Sequence, residues 1–303
     1  MAICCMNKAF QSSVIFEKVV SLMRRLLFSL LLLLPGIMAG QDLFNEDFGA
    51  KTKVSLLVET AVAKAGTTVN VGLHLTMPEG WHTYWKNPGE TGEATKVKWN
   101  NLPEGVTAGN IQWPVPEKVE SFDQFTYAYH HEILLIIPLE LAKGVKPGEY
   151  ELNGTVTWLE CEETCLPGEK KVTAKLLVGD EEKMGEGADL FAKWREHWPD
   201  TDSMPKLLAK WVGPADDKGM RPVHMEVPLE GGKIEFLPFG TEGLKWSIGH
   251  KSTYEPGKGS TIIKKFIKSE TGKWPETIPG LVRVEKDGEV KGYKTTFVFA
   301  ENE

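Results

Sequence analysis

Cysteine is scarce in this sequence, which has four cysteines among 303 residues. So low a count excludes a small fold held together by many disulfides. Basic charge is also not in excess, since 35 lysines and arginines face 42 aspartates and glutamates. The net charge of -7 argues against a nucleic-acid partner, whose phosphates attract a basic surface. With 41% hydrophobic and 25% charged residues, the composition is that of a globular protein and not of a disordered chain.

The first forty residues have the pattern of an export signal. Met23-Arg24-Arg25 precedes an apolar run over residues 26–34, and Ala39-Gly40 supplies small residues for cleavage. This run is shorter than the roughly 20 residues that a membrane-spanning helix needs. We therefore predict a signal peptide over residues 1–40, with Met23 as an alternative start. An uncleaved membrane anchor is the competing interpretation.

Removal of this segment changes the charge and the cysteine count. The segment carries four basic residues against Glu17, a net of +3, so the mature chain has a net charge of -7 - 3 = -10. Cys4 and Cys5 leave with it, and only Cys161 and Cys165 remain. Because disulfides persist in oxidising compartments outside the cytoplasm, this pair becomes the main chemical feature of the mature chain.

The mature chain has the pattern of an all-β protein with two β domains. Short alternating segments separated by Gly- and Pro-containing turns fill residues 41–180 and predict an antiparallel β-sandwich. The β pattern returns over residues 215–303, which predicts a second, smaller β domain. The clearest predicted strands cover residues 54–58, 68–75, 96–99, 133–139, 150–158, 171–177, 223–227, 233–237, 244–248, 260–267, 280–285 and 293–299.

Between the two β domains, residues 181–214 predict a short helical connector. Apolar residues recur at helical spacing over residues 188–198, and Pro199 ends that run. Its aromatic face is expected to pack on a neighbouring domain. Leu207, Leu208 and Trp211 predict a further helical turn or two before Gly213.

Cys161 and Cys165 follow one predicted strand and precede the next. They can therefore face each other across a tight hairpin, close to the Cα separation of about 4.4–6.8 Å that is usual for a disulfide. As a structural staple the bond would do little, since closing a five-residue loop contributes about 2 kcal/mol against about 3 for fifteen residues. A disulfide that forms and breaks during the function of the protein is thus favoured over a purely structural disulfide.

Two further interpretations concern the surroundings of the pair. Together with His130 and His131, the cysteines could supply four metal ligands. Adjacent residues of a strand point to opposite faces, however, which makes it awkward for both histidines to reach one ion. Separately, three glutamates flank Cys161, namely Glu160, Glu162 and Glu163. Their negative charge disfavours the Cys161 thiolate and is expected to raise the pKa of the thiol. Cys161 would then be a slow nucleophile outside a partner complex.

Three blocks of sequence carry a family resemblance. They are residues 80–92 (GWHTYWKNPGETG), residues 111–116 (IQWPVP) with Tyr127-Ala128-Tyr129, and residues 156–167 around the two cysteines. With them the chain resembles, over about residues 50–178, the N-terminal periplasmic domain of the thiol:disulfide interchange protein DsbD. The Cys-x3-Cys spacing is similar to that of the copper-sensitivity suppressor branch of this family.

The resemblance implies an immunoglobulin-like sandwich in a periplasmic protein, with Cys161 and Cys165 as the redox pair and Cys165 as the sulfur that is attacked. It places Tyr84 beside the cysteines and a capping aromatic ring at Phe122 or Phe125. The implied partners are thioredoxin-like periplasmic proteins and a membrane electron donor, with no cofactor, metal or nucleic acid. The mature chain is expected not to span a membrane.

Neither a multi-span membrane domain nor a Cys-x-x-Cys thioredoxin domain is found in the sequence. We therefore expect a single relay module that receives electrons from a separate protein, not a complete reductase. The competing function is a non-catalytic binding or scaffold protein in which the disulfide stays oxidised.

Overall fold

Alternation of buried and exposed side chains builds most of this molecule into β-strands. In the segment Thr68–Thr76, for example, Val69, Val71 and Leu75 are buried while the polar ends of the strand are exposed. The computed structural model describes residues 49–121, 124–240, 243–249 and 251–299. The predicted signal peptide lies outside these residues.

The first part of the chain forms two sheets. One has the order β1-β3-β9-β6, and the other has the order β12-β2-β11-β10-β4-β8-β7 with β5 also paired to β10. The strands are β1 Lys53–Val58, β2 Thr60–Lys64, β3 Thr68–Thr76, β4 His82–Gly89, β5 Lys96–Asn101, β6 Val106–Ala108, β7 Glu117–Ser121, β8 Gln124–His130, β9 Glu132–Leu141, β10 Gly148–Cys161, β11 Cys165–Gly179 and β12 Lys183–Met184.

These two sheets enclose one hydrophobic core. Val71 and Leu73 enter it from the smaller sheet, and Val156 and Leu176 enter it from the larger one. Described strand pairs in this part are antiparallel except for β2 with β11, which run parallel at the sheet edge. The prediction of an immunoglobulin-like sandwich is confirmed.

A short helix, α1 (Ala188–Arg195), follows the sandwich. Its Phe191 is fully buried against Leu134 and Ile136 of β9, so the apolar face packs on the neighbouring sheet as predicted. Arg195 donates two hydrogen bonds of 2.6 Å to the Glu59 carboxylate and fastens the last turn of the helix to the sandwich. Within the described residues, no helix has the length and apolar character needed to cross a membrane.

The second predicted helical stretch is wrong. Lys206–Trp211 is a strand, β13, which runs parallel to the last strand of the chain. Leu207 and Trp211 are half-buried, Ala209 is fully buried and Leu208 is exposed. Long-range pairing therefore decided the conformation of a segment whose few apolar residues satisfied a helical spacing by chance. The helical connector is correspondingly shorter than predicted.

The second part of the chain is a sheet of eight strands in the described residues. Its order is β15-β19-β20-β13-β14-β18-β16, with β17 also paired to β18. The remaining strands are β14 Met220–Val227, β15 Lys233–Pro238, β16 Trp246–Ile248, β17 Thr253–Pro256, β18 Thr261–Ser269, β19 Thr277–Lys286 and β20 Glu289–Phe299. Their inward side chains form a separate apolar core that includes Val223, Ile263 and Phe297.

Apolar and polar contacts join the two parts. Leu237 and Leu281 of the second part belong to the core of the first part. The amide of Asn87 donates a hydrogen bond of 2.8 Å to the Pro238 carbonyl. Residues Gly49–Glu303 accordingly form one compact unit. The division into two domains at residue 215 stays a prediction.

Candidate functional site

The two cysteines close the tip of the hairpin formed by β10 and β11. They are the last directly opposed pair of this ladder, and a loop of three residues, 162–164, connects them. Their side chains form a disulfide, with the Cα atoms 4.1 Å apart. This spacing is close to the approximately 4.5 Å of an antiparallel pair without mutual backbone hydrogen bonds. The hairpin register alone therefore brings the sulfurs together.

The two sulfurs occupy different environments. Cys161 is only 3% exposed, whereas Cys165 on the facing strand is exposed. A large partner can therefore reach the residue at position 165 but not the one at 161. Burial therefore restricts direct attack on the disulfide to the sulfur of Cys165.

Strand pairing extends the site sideways into a row of four side chains. Cys165 lies opposite Cys161, Cys161 lies opposite His82 of β4, and His82 lies opposite His130 of β8. Directly opposed residues of antiparallel strands project from the same face, with Cβ atoms about 4.5–5.5 Å apart. The disulfide and the two histidines thus share one face of the larger sheet.

Tyr84 lies on this same face, two residues after His82. Its hydroxyl is 3.9 Å from the sulfur of Cys165, and the residue is only 2% exposed. Burial raises the pKa of Tyr84, so its phenol stays protonated and able to donate. Gly92 covers the ring: its φ is +108°, and a Cβ at this position would lie 2.3 Å from the ring. Only glycine fits here.

The opposite face of β10 next to the disulfide carries a different polar group. Glu160 is fully buried and accepts hydrogen bonds from the backbone N–H of Thr52 at 2.9 Å and from the indole of Trp158 at 2.8 Å. The backbone N–H of Lys51 donates to the same carboxylate. The Glu160 side chain points into the sandwich, away from the face of β10 that carries Cys161, and the predicted effect of the glutamates on the Cys161 thiolate stays a prediction. Glu162 is exposed in the connecting loop, as expected for a solvated turn.

The pKa values around His82 and His130 depend on their close contacts. The rings of His82 and His130 are 5.4 Å apart, and the ring of His82 meets that of Tyr84 edge-on at 5.2 Å. Burial, followed by the proximity of His130, lowers the pKa of His82. His130 in turn lies 3.1 Å from a carboxylate oxygen of Glu117, and this hydrogen bond is the main cause of the lowered pKa of Glu117.

Sequence reasoning did not select His82 as a site residue. It stands in the quoted block two positions before Tyr84, so strand alternation predicts that both side chains share a face. That alternation was the available signal. The pairing of His82 with Cys161, about eighty positions away, becomes visible only in the folded sheet.

Comparison with known proteins finds a family likeness for the part of the chain that holds the site. Residues 53–177 match the family model of the thiol:disulfide interchange protein DsbD, N-terminal. This stretch contains both cysteines, His82 and Tyr84. Residues 53–177 form a DsbD N-terminal-like domain. No curated protein matches the chain at a significant level.

One solved structure shows the same fold. The N-terminal periplasmic domain of ScsB from Proteus mirabilis is 16% identical with a TM-score of 0.57, and the likeness covers 82% of this chain and 94% of that chain. The shared fold therefore extends beyond the DsbD N-terminal-like domain into the second part. The reduced DsbD N-terminal domain of Neisseria meningitidis is 21% identical over 44% of this chain and 91% of that chain, with a TM-score of only 0.25.

The predicted aromatic cap of the DsbD N-terminal-like domain stays a prediction. Phe122 lies outside the described residues. Phe125 lies in β8, where the ammonium group of Lys118 is 4.3 Å from its ring centroid. It is five residues from His130, about 17 Å along the strand, and so is remote from the row that holds the disulfide.

The two histidines of the alternative metal site, His130 and His131, have different surroundings. His131 has a φ of +62° in the turn after β8, while the His130 ring lies against His82 and Glu117. In the part of the chain that the structure describes, no group of three or more His, Cys, Asp or Glu side chains is placed to hold a metal ion.

Proposed function

We propose that this protein is an exported thiol:disulfide interchange module that relays electrons through Cys161 and Cys165. The observation that carries the proposal is the unequal disulfide at the hairpin tip, with one exposed and one buried cysteine. The match of residues 53–177 to the DsbD N-terminal family model supports the same chemistry. A thioredoxin-like protein is the proposed partner on one side, and a membrane electron donor on the other.

The exchange follows from the exposure of the sulfurs. A partner thiolate attacks Cys165, the bond to Cys161 breaks, and Cys161 leaves with the electron pair. A mixed disulfide now joins the partner to Cys165. The second thiolate of the partner attacks its own sulfur in this bond and releases Cys165. The module gains two electrons and the partner becomes oxidised, while the reverse sequence passes the electrons on.

A purely structural role for the bond is less well supported. The directly opposed strands of the hairpin already align the two residues through a ladder that begins at Gly148 and Val178. The short loop adds about 2 kcal/mol at most in the chain-entropy account. The sandwich has its own continuous core and does not depend on this bond for cohesion.

Trapping with single-cysteine variants tests the proposal. Cys161→Ser leaves the exposed sulfur, whose thiolate should displace thionitrobenzoate from a thioredoxin-like protein in which the single remaining cysteine carries that group, so that a mixed disulfide accumulates. Cys165→Ser is the matched control and should form far less of this species, because its remaining sulfur is buried. Mass spectrometry of the non-reduced complex identifies both sulfurs.

A redox titration with glutathione and dithiothreitol separates the proposal from its competitor. A relay should equilibrate in the range where periplasmic and endoplasmic oxidoreductases operate. A pair that resists reduction below about -300 mV would behave as a structural bond. That result, together with equal trapping by both variants, would favour the non-catalytic scaffold.

A further inference from the structure

The geometry points to His82 as the proton carrier of the buried cysteine: it takes the Cys161 proton when the disulfide forms and returns it when the disulfide breaks. His130 and Glu117 connect His82 to solvent. This inference rests on the proposed exchange function, and it assigns a role to a side chain that the two-cysteine chemistry does not itself require.

The first step concerns which of the two cysteines needs a neighbouring acid or base. Cys165 is exposed, so water can hydrate its thiolate or accept its proton directly. Cys161 is 3% exposed, and a buried thiolate is costly because the charge loses its hydration. Each complete exchange nevertheless passes through a thiolate at Cys161. A neighbouring acid or base is therefore needed at this position and not at Cys165.

The second step concerns what lies beside Cys161. On β11 the neighbour is its disulfide partner, and on β4 the directly opposed residue is His82, which projects from the same face. Tyr84 lies on that face too, but its hydroxyl approaches the sulfur of Cys165. Its raised pKa also makes it a poor base at neutral pH. His82 is the side chain whose position and chemistry fit the buried sulfur.

The third step concerns the charge state of His82. The groups that face it are Tyr84 on its own strand, His130 on β8 with His131 beyond it, Cys161 on β10, and Glu162, whose carboxylate lies against Gly80. Burial and the nearby His130 hold its pKa below the ordinary value. At pH 7 the ring is therefore neutral and has one nitrogen able to accept a proton.

The fourth step concerns the path to solvent. The ring of His130 is next to that of His82 and is within hydrogen-bonding distance of Glu117. Glu117 and His130 both line an open cavity, which His197 and Arg283 also border. An imidazolium formed at His82 can thus lose its proton through His130 to water. The carboxylate of Glu117 stabilises the positive charge on the way.

The closing step, in the oxidative direction, converts the mixed disulfide at Cys165 into the Cys161–Cys165 disulfide. The Cys161 thiol gives its proton to His82, and the resulting thiolate attacks the sulfur of Cys165 in the mixed disulfide with the partner. The Cys161–Cys165 bond forms, the partner leaves as a thiolate, and the proton passes from His82 to solvent. In the reductive direction, His82 receives a proton from solvent and delivers it to the departing Cys161 sulfur.

The test is the pH dependence of the closing step in His82→Gln. The reduced full-length mature protein is mixed with oxidised glutathione and quenched with acid, and the mixed disulfide at Cys165 is quantified by mass spectrometry. General acid–base catalysis contributes about 10²–10⁴-fold when complete. We expect the closing rate at pH 7 to fall at least about tenfold, so that the mixed disulfide accumulates. The rates should converge at high pH, where the thiol ionises without a base.

Two further variants keep the test decisive. His82→Phe preserves an aromatic ring against Tyr84 and should show the same loss if His82→Gln proves unstable. His74→Gln is the control, since His74 lies in the other sheet and contacts Glu132 at 3.4 Å. Wild-type pH profiles in both His82 variants would overturn the inference and leave the relay function intact. A reduced wild-type protein that oxidised glutathione does not convert to the Cys161–Cys165 disulfide would overturn the relay function and this inference together.

Discussion

The two β parts of this molecule use buried polar side chains in opposite ways. In the first part, the half-buried His82 and the buried Tyr84 lie beside the disulfide on the outer face of the larger sheet. In the second part, the buried charged groups Glu235 and Arg283 lie at the contact with the first part. One part thus places polar side chains beside the disulfide, and the other uses them to bind the first part.

The charged contact has a compact geometry. The Glu235 carboxylate is 3.0 Å from the ammonium group of Lys118 in the first part and 3.4 Å from Arg283 in its own part. Arg283 also donates a hydrogen bond of 3.2 Å to the Pro116 carbonyl. A buried ion group of this kind specifies one docking geometry, because a displaced arrangement would leave buried charges without partners. The second part is therefore suited to hold the redox part, not to react.

The largest expected effect comes from Glu235→Ala. Removal of this carboxylate leaves Lys118 and Arg283 close together without the anion between them. Loss of one partner from a buried ion group costs about 3–5 kcal/mol. We expect the free energy of unfolding, measured by urea denaturation, to fall by this amount.

Glu289→Ala is the control for that variant, since the Glu289 side chain is 76% exposed, and its effect should be negligible. Under native conditions the reaction of the Glu235→Ala disulfide with dithiothreitol should proceed at the wild-type rate. A slowed reaction in protein that remains folded would show that the second part influences the disulfide, and the contrast between the parts would fail.

Lys265 is expected to give the second part a distinctive pH dependence. Burial is the main cause that lowers its pKa to about 7, with Lys118 contributing in the same direction and Glu235 opposing. An unfolded lysine titrates near 10.4, so between these values the unfolded chain binds more protons. The free energy of unfolding should therefore rise from pH 7 to pH 10, by at most about 1.4 kcal/mol per pH unit from this group. Below pH 7 the contribution is constant and unfavourable.

Comparison of Lys265→Met with wild type checks this expectation. The variant should lose the rise between pH 7 and pH 10, and it should be at least as stable as wild type at pH 6. Lys268→Met, on the same strand but exposed, is the matched control and should keep the rise. Equal slopes in the Lys265 and Lys268 variants would mean that this ammonium group does not govern the stability of the second part.

Much of the fold could be read from local patterns, and particular residues show where such patterns stop. The hairpin with Cys161 and Cys165 and the helix around Phe191 were predictable because strand alternation, turn residues and helical spacing are local properties. The strand at Lys206–Trp211 was not, since its partner β20 lies some ninety residues away. Weak local preference gives way to long-range pairing in such a segment.

The candidate site shows the same limit. Its two sulfurs followed from spacing and family resemblance, whereas the burial of Glu160 depends on backbone groups at positions 51 and 52, more than a hundred residues away. From the local sequence, Glu160 and Glu162 look equivalent. Strand alternation alone would place both side chains on the same face. They differ because β10 ends at Cys161, so Glu160 enters the sandwich while Glu162 lies in the exposed connecting loop.

Glu160→Gln tests the division between the two faces of β10. The amide keeps one acceptor oxygen and replaces the other by a donor, so one of the buried N–H groups loses its partner. An unsatisfied buried donor costs about 1–3 kcal/mol, which should appear as lower stability in urea. Glu169→Gln, exposed on the neighbouring strand, should be close to neutral. The rate of exchange with dithiothreitol should stay within about twofold of wild type. A large loss of rate at unchanged stability would mean that Glu160 acts on the disulfide from behind.

The smallest expected effect is that of Tyr84→Phe, which probes the reactive face itself. The hydroxyl, 3.9 Å from the Cys165 sulfur, can donate to the thiolate that forms there on reduction. At this distance the bond is weak, and its loss should cost at most about 1 kcal/mol, or roughly a fivefold lower rate of attack by Cys165 on oxidised glutathione at pH 7. Tyr150→Phe is the control and should react like wild type, since the Tyr150 hydroxyl donates a hydrogen bond of 2.8 Å to the Lys146 carbonyl. Because the phenyl ring keeps the packing against Gly92, stability should change little. A rate loss of a hundredfold or more would instead mean that Tyr84, and not the histidine row, carries the proton of the exchange.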